Sequence, residues 1–91
     1  MTENLPAEQL QAQPGEQIVD ARARGGQSCA QLAMGAFDAL DAGAGFVLVA
    51  DHDPRGIHYM LDAERPGAAT WDVLADGPEL WQARIRRTAT A

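Results

Sequence analysis

Five consecutive residues, "DHDPR" at positions 51–55, combine two carboxylates, an imidazole and a guanidinium in one short segment. Three interpretations of this segment are open. In the structural interpretation, Asp53 caps a helix and Pro54 occupies its first position, where a missing N–H costs nothing. Arg55 then pairs with a nearby acid, either Asp51 or Asp53.

The other two interpretations give the segment a ligand. A metal ion would use His52, His58 and one aspartate, but the two histidines are six residues apart instead of four, the spacing that places two ligands on one helical face. A small anion or cofactor would bind the N-terminus of the helix, favoured by Arg55 and disfavoured by Asp51 and Asp53. The sequence requires neither a metal nor a cofactor, and we predict none.

The single cysteine, Cys29, is the second candidate site. It falls in the first turn of a predicted helix, where unpaired N–H groups and the helix dipole favour a thiolate. Arg22, Arg24 or His52 would favour the thiolate further, and such a thiol can act as a nucleophile or carry sulfur. The alternative is a small buried residue that serves only packing. One cysteine cannot form an internal disulfide, which fits a reducing compartment and a cytoplasmic location.

Length and charge limit the possible partners. A chain of 91 residues is one domain, and its net charge of −6 disfavours nucleic acid and anionic membranes. Apolar runs fall far short of the ~20 residues that cross a bilayer, and we expect no secretory signal. We therefore expect an unidentified protein or small molecule as partner, and a monomer or weak homodimer.

Hydrophobic periodicity predicts the element order β-α-β-α-β-β. Strands are predicted at 17–22 and 46–50, helices at 28–43 and 53–65, and a hairpin at 69–87 with its turn at 76–79. Residues 1–16 are too polar to offset their ordering entropy, so we expect a disordered tail there and a frayed end at 88–91. A single domain over 17–87 remains.

Several side chains have predicted places in these elements. Ser28 is a natural N-cap for the first helix. "FVLVA" is apolar on both faces and so predicts a buried central strand. Trp71 and Trp81 are predicted to form a cross-strand pair in the core. A row of arginines is predicted to form a solvated face that pairs with Asp72; its members are Arg84, Arg86 and Arg87.

The predicted fold class is α/β (α+β), a two-layer sandwich with two helices on one face of a four-stranded mixed sheet. The first strand–helix–strand unit is expected to be right-handed with parallel strands. Ligands of such units lie beyond the carboxyl ends of the strands. The loops at 22–29 and 51–55 both lie there, so Cys29 and His52 are expected to approach each other.

The motifs "VDAR", "FDALDAG", "VADHDPRGIHYML" and "TWDVLADGPELWQARIRR" resemble a bacterial family, domain-of-unknown-function family twenty-two forty-nine. The resemblance covers residues 17–87. That family is similar in fold to the TusA/SirA sulfur carriers, and its members occur alone or joined to hemerythrin-like and other redox-associated domains. The resemblance implies the same β-α-β-α-β-β sandwich and no established activity.

Two functions follow as hypotheses. The first is a non-enzymatic binding or accessory module, with redox or sulfur association, whose ligand edge is Asp51, His52, Asp53 and Arg55. The second is a sulfur carrier or sulfurtransferase that bears a persulfide on Cys29. Carriers of the TusA/SirA type have a Cys-Pro pair at the start of the first helix. Here Ala30 follows Cys29, so the carrier cysteine is not inherited by position.

Overall fold

The computed structural model describes residues 13, 16–23, 26 and 28–88 of the chain. In this part of the chain, four strands and two α-helices follow one another in the predicted order, β-α-β-α-β-β. They are β1 (Gln17–Asp20), α1 (Cys29–Asp38), β2 (Gly45–Ala50), α2 (Arg55–Glu64), β3 (Ala69–Asp76) and β4 (Trp81–Arg87). No helix among the described residues has the length and apolar character needed to cross a membrane.

The four strands form one mixed sheet in the order β1-β2-β4-β3. Strand β1 runs parallel to β2, because α1 carries the chain back to the starting edge. Strand β4 runs antiparallel to both β2 and β3. The predicted two-layer sandwich, with its parallel first unit and its hairpin, is confirmed.

The core lies between the helices and one face of the sheet. Strand β2 is buried from Phe46 to Ala50, and Phe46, Leu48 and Ala50 face the helices together with Ile85 of β4. Phe37 of α1 packs against this face. Helix α2 adds two buried residues, Ile57 and Leu61. Burial of β2 on both faces explains its run of apolar residues.

The opposite face of the sheet holds an ion pair that the sequence did not reveal. The guanidinium of Arg84 binds the carboxylate of Glu16, with 2.7 Å between Nε and Oε2 and 3.0 Å between NH2 and Oε1. Asp72 lies opposite Arg84 in the register of β3 and β4. Glu16 makes the two hydrogen bonds and is the main cause of the raised pKa of Arg84, to which Asp72 also contributes, so the expected pairing with Asp72 is present but secondary. Arg86 approaches the same carboxylate at 3.8 Å.

Arg87 does not belong to the arginine row. Its guanidinium carbon lies 5.2 Å from the centre of the Phe37 ring, and its NH1 donates to the Phe37 carbonyl oxygen. Successive strand residues point to opposite faces, so Arg87 shares the helix-facing side with Ile85. It packs against the end of α1 as a cation over an aromatic ring.

The tryptophans also differ from the prediction. Both lie on the helix-facing side, but they are not opposite each other. Trp71 pairs with Ile85 across the hairpin, whereas Trp81 pairs with Asp76. A register shift between Val73 and Ala75 adds a residue to β3, a feature that periodicity does not reveal.

The ends of β1 and α1 both come earlier than predicted. Strand β1 stops at Asp20 instead of residue 22, because the Asp20 carboxylate accepts the Arg22 backbone N–H and a 3-10 turn follows. Helix α1 stops at Asp38 instead of residue 43, since its last turn tightens through a bond from the Leu40 N–H to the Phe37 carbonyl. The predicted N-cap of α1, Ser28, is confirmed.

The predicted tail and frayed end lie mostly outside the described residues. Of the segment 1–16, the structure describes residues 13 and 16, and Glu16 makes the ion pair with Arg84. Of 88–91, it describes Thr88, whose N–H donates to the Ala68 carbonyl oxygen.

Candidate functional site

The DHDPR loop, residues 51–55, leaves the sheet at the carboxyl end of the buried strand β2. Strand β1 ends at the neighbouring position, because Asp20 is in register with Val49. Asp51, His52 and Asp53 are exposed, whereas Pro54 is buried. The loop is therefore a solvent-facing turn that is anchored by Pro54. It lies at the edge of the sheet where parallel α/β units bind their ligands.

Asp53 and Arg55 bind each other. Asp53 Oδ1 accepts the Arg55 backbone N–H at 3.0 Å, and Asp53 Oδ2 accepts Arg55 Nε at 2.9 Å. The hydrogen bond from the Arg55 side chain lowers the pKa of Asp53, helped by the backbone bond. The same pairing raises the pKa of Arg55, with smaller contributions from Tyr59 and Asp76. Both side chains are thus charged and oriented.

The start of α2 differs by one residue from the prediction. Asp53 was expected at the N-cap and Pro54 at the first helical position. Pro54 occupies the N-cap instead, because its carbonyl oxygen accepts the His58 N–H and closes the first helical turn. Asp53 still accepts a first-turn N–H, that of Arg55, from one position earlier. The structural role predicted for the Asp-Pro pair is retained in this shifted form.

His52 and Asp51 form the second pair of the loop. His52 Nδ1 lies 2.9 Å from Asp51 Oδ1, and both side chains are more than half exposed. An exposed pair of this kind contributes little to stability. It does orient the imidazole, since the contact occupies one of the two ring nitrogens.

Cys29 and His52 line one cleft, as the topology predicted. This thiol cleft has a volume of about 440 Å³ and lies between the first turns of the two helices; its lining includes Cys29, Ala30, His52, Pro54, Ile57 and Met60. Cys29 itself is buried, with 8% of its surface exposed. The cleft brings an imidazole and a thiol to one place, but it leaves little of the thiol open to solvent.

The two arginines expected near Cys29 are not both described. Arg22 places its guanidinium on Asp20, with 2.8 Å between Nε and Oδ1 and 2.7 Å between NH2 and Oδ2. Asp20, and to a lesser extent Asp51, raises the pKa of Arg22. This agrees with the register of β1 and β2, which places Asp20 beside Val49, close to Asp51 at the same edge of the sheet. Arg24 lies outside the described residues.

His58 belongs to a different surface from His52. Its ring stacks on Trp71, with 4.7 Å between centroids and 4° between planes, and its Nε2 lies 3.5 Å from Asp62 Oδ2. Within the described residues, no three His, Cys, Asp or Glu side chains form a group suited to a metal ion. The metal interpretation therefore gains no support from the arrangement of His52 and His58.

A second cleft lies on the other side of the DHDPR loop. This tryptophan cleft has a volume of about 280 Å³. Its apolar lining comes from the hairpin: Trp71, Val73, Ala75, Trp81 and Ala83. Its charged lining comes from Asp53, Arg55 and Asp76, and Pro54 borders both clefts. The DHDPR loop is the wall between the two.

The sequence did not indicate the tryptophan cleft. Trp71 and Trp81 were expected in the core, yet both remain partly exposed. The sequence feature that could have indicated the cleft is that both tryptophans lie on strands near polar residues. Asp76 follows Trp71 on the same strand, and Trp81 comes directly after the turn of the hairpin. Aromatic residues with one wet edge are common at binding surfaces.

Comparison with known proteins gives one match. The model of a protein family described as an uncharacterized conserved protein, DUF2249, matches residues 18–87. The chain belongs to the DUF2249 family. No curated protein and no solved structure matches it. The similarity in fold to the TusA/SirA carriers therefore stays a prediction.

The DUF2249 match covers both clefts. Its range includes Cys29, the DHDPR loop and the whole hairpin that carries Trp71 and Trp81. The family match and the candidate site thus cover the same residues. The family description gives no ligand and no reaction.

Proposed function

We propose that this domain is a small, non-enzymatic binding module. Its ligand or partner contacts the DHDPR loop and the tryptophan cleft that this loop borders. One observation carries the proposal: Asp53, Pro54 and Arg55 form a wall of an apolar cleft that also contains two tryptophans. Ligand sites in proteins are mostly concave apolar surfaces with a few convergent polar groups, and the tryptophan cleft has that character.

The charged residues of the loop support a binding role. Asp53 is engaged by Arg55, and Asp51 by His52, through contacts of 2.9 Å or less. Such pairs hold side chains in fixed positions, which lowers the entropy cost of binding. The proposed occupant is a small molecule or a segment of a protein partner, and the proposed location is the cytoplasm. Nucleic acid and membrane surfaces are disfavoured by the net charge of −6.

The test is a screen of small aromatic, cationic, anionic and neutral compounds by amide NMR spectra of the labelled chain. We expect the compounds that bind to shift the indole signals of Trp71 and Trp81. We also expect Arg55→Ala to change their affinity, because it removes a charge from the cleft. Arg65→Ala is the matched control, since Arg65 lies just beyond the other end of α2 and binds Asp38.

If His52→Ala and Arg55→Ala both left every detected interaction unchanged, the DHDPR loop would not be the binding edge. Signals that shift only on the far side of the sheet, around Arg84, would contradict the proposal in the same way.

A second candidate function, sulfur transfer through Cys29, is supported by the thiol cleft alone. Cys29 lies at the start of α1 and shares that cleft with His52. This function requires that the Cys29 thiol alkylates rapidly at a pH well below about 8.5, the pKa of an unperturbed cysteine. It also requires a mass gain of one sulfur atom after exposure to a sulfur donor. Slow alkylation in the folded state without any sulfur adduct would assign Cys29 to packing, as its burial favours.

A further inference from the structure

The two tryptophans of the tryptophan cleft give it a particular electrostatic character. An indole ring carries negative potential on its faces and therefore attracts cations. Trp71 is fixed by its stacking on His58, and Trp81 packs beside Gly77, where an added Cβ would lie only 2.5 Å from the indole ring. Both rings are therefore held in place beside the cavity before any ligand arrives.

The charged residues of this cleft leave an excess of negative charge. Two carboxylates and one guanidinium line it, those of Asp53, Asp76 and Arg55. Arg55 NH2 lies 2.8 Å from Asp53 Oδ2, so these two charges offset each other. Asp76 interacts with Arg55 more weakly than Asp53 does, so two carboxylates and one guanidinium leave the cleft with an excess of negative charge. The surrounding protein adds to the negative potential, because its net charge is −6.

We propose that the tryptophan cleft binds a small organic cation, an ammonium group that carries short alkyl substituents. The alkyl groups would contact the apolar lining from the hairpin, and the charge would lie near the tryptophan rings and Asp76. This inference rests on the proposed binding function and specifies the ligand class of the same site. It goes beyond the DUF2249 description, which gives no ligand.

The alternatives fit this cleft less well. An anion would find one guanidinium, and that group already binds the Asp53 carboxylate, at 2.9 Å from Nε and at 2.8 Å from a terminal nitrogen. An anion would also approach Asp76. A bare metal ion needs several oxygen, nitrogen or sulfur ligands, and the described residues offer no group of three. An uncharged apolar molecule would use the lining but not the carboxylate.

The probe for this proposal is choline, compared with dimethylbutanol, the uncharged analogue in which a carbon atom replaces the quaternary nitrogen. Acetate serves as the anionic probe, and ionic strength is held constant with sodium chloride. Trp71 and Trp81 are the only tryptophans of the chain, so intrinsic fluorescence reports directly on the cleft. We expect saturable binding of choline that is about tenfold tighter than that of dimethylbutanol, and no response to acetate.

Two charge variants with opposite effects sharpen the test. Asp76→Asn removes the carboxylate that interacts less strongly with Arg55, and we expect choline affinity to fall by about fivefold. Arg55→Gln removes the guanidinium, so we expect choline affinity to rise. Asp72→Asn is the matched control, because Asp72 lies on the same strand β3 but pairs with Arg84 in register on the opposite face of the sheet.

Each outcome decides between the two proposals. If dimethylbutanol or acetate binds as tightly as choline, the preference for a cation is wrong and the binding module remains. If choline binds but Asp76→Asn and Asp72→Asn weaken it equally, the cation does not bind beside Asp76, and the inference is overturned. If no probe changes the fluorescence, the inference fails, and the compound screen alone then decides whether the cleft binds anything.

Discussion

The imidazole of His58 lies parallel to the indole of Trp71, with ring centroids 4.7 Å apart and ring planes 4° apart. The two residues belong to α2 and β3, so the stack joins a helix to the outer strand of the hairpin. It also fixes one wall of the tryptophan cleft. Tyr59 extends the stack at its exposed end, with 6.2 Å between its ring and that of His58.

Loss of this stack is expected to destabilise the domain. We predict that His58→Ala lowers the free energy of unfolding by about 1 kcal/mol, the usual contribution of an aromatic pair, although alanine favours the helix more than histidine does. His58→Phe keeps a ring at the position and is expected to retain most of the stability. Urea unfolding followed by circular dichroism measures both. If His58→Phe were as unstable as His58→Ala, stacking would not be the cause.

The Glu16–Arg84 pair makes stability depend on pH. The hydrogen bond from Arg84 holds the pKa of Glu16 below its ordinary value of 4.5. A carboxyl group whose pKa is lowered by folding stabilises the protein above its unfolded pKa, and this stabilisation is lost as the pH falls through the folded pKa. We therefore predict that Glu16→Gln lowers the free energy of unfolding at pH 7 by on the order of 1 kcal/mol. We also predict that the variant and the natural chain converge in stability as the pH falls through the folded pKa of Glu16, which lies below 4.5.

The control for this prediction is Glu79→Gln in the exposed turn of the hairpin. It removes the same charge from a residue outside the pair. We expect Glu79→Gln to differ little in stability from the natural chain, both at pH 7 and at the acidic pH where Glu16 is protonated. An equal loss for Glu16→Gln and Glu79→Gln would indicate an effect of net charge instead of the specific pair.

Two glycines are predicted to respond in opposite ways to alanine. Gly35 lies inside α1, and an added Cβ would meet no atom within 4 Å. Gly35→Ala is therefore expected to stabilise the domain by about 1 kcal/mol, the difference in helix propensity. Gly77 has φ +72° and lies against the Trp81 ring, so Gly77→Ala is expected to destabilise the domain and displace Trp81. Thermal unfolding of the two variants measures this, and equal shifts in melting temperature would contradict the prediction.

The fold was predictable because each element carries a strong periodic or capping signal. The run "FVLVA" indicates burial on both faces, and Ser28 marks the start of α1. A strand–helix–strand unit followed by a hairpin leaves few possible sheet orders. The position of Arg87 on the helix-facing side was also predictable, because strict alternation along β4 places Arg87 on the same face as Trp81 and Ile85.

The candidate site was predictable only in part. The meeting of Cys29 and His52 in one cleft follows from strand order, which is a property of the chain's topology. The contact between His58 and Trp71 does not follow from strand order. It depends on the position of α2 along β3 and on the rotamers of both side chains. The shift of register between Val73 and Ala75, which helps to set that geometry, leaves no periodic signal.

The capping box of α1 connects stability to the thiol cleft. Ser28 Oγ accepts the Gln31 N–H, and Gln31 Oε1 accepts the Ser28 N–H, both at 3.0 Å. We predict that Ser28→Ala lowers the free energy of unfolding by about 1 kcal/mol, whereas Ser28→Asp retains an acceptor and most of the stability. Urea unfolding tests this, and a Ser28→Ala variant as stable as the natural chain would contradict it. Because Ser28 directly precedes Cys29 and a neighbouring carboxylate disfavours a thiolate, Ser28→Asp is also expected to alkylate more slowly than Ser28→Thr at the same pH.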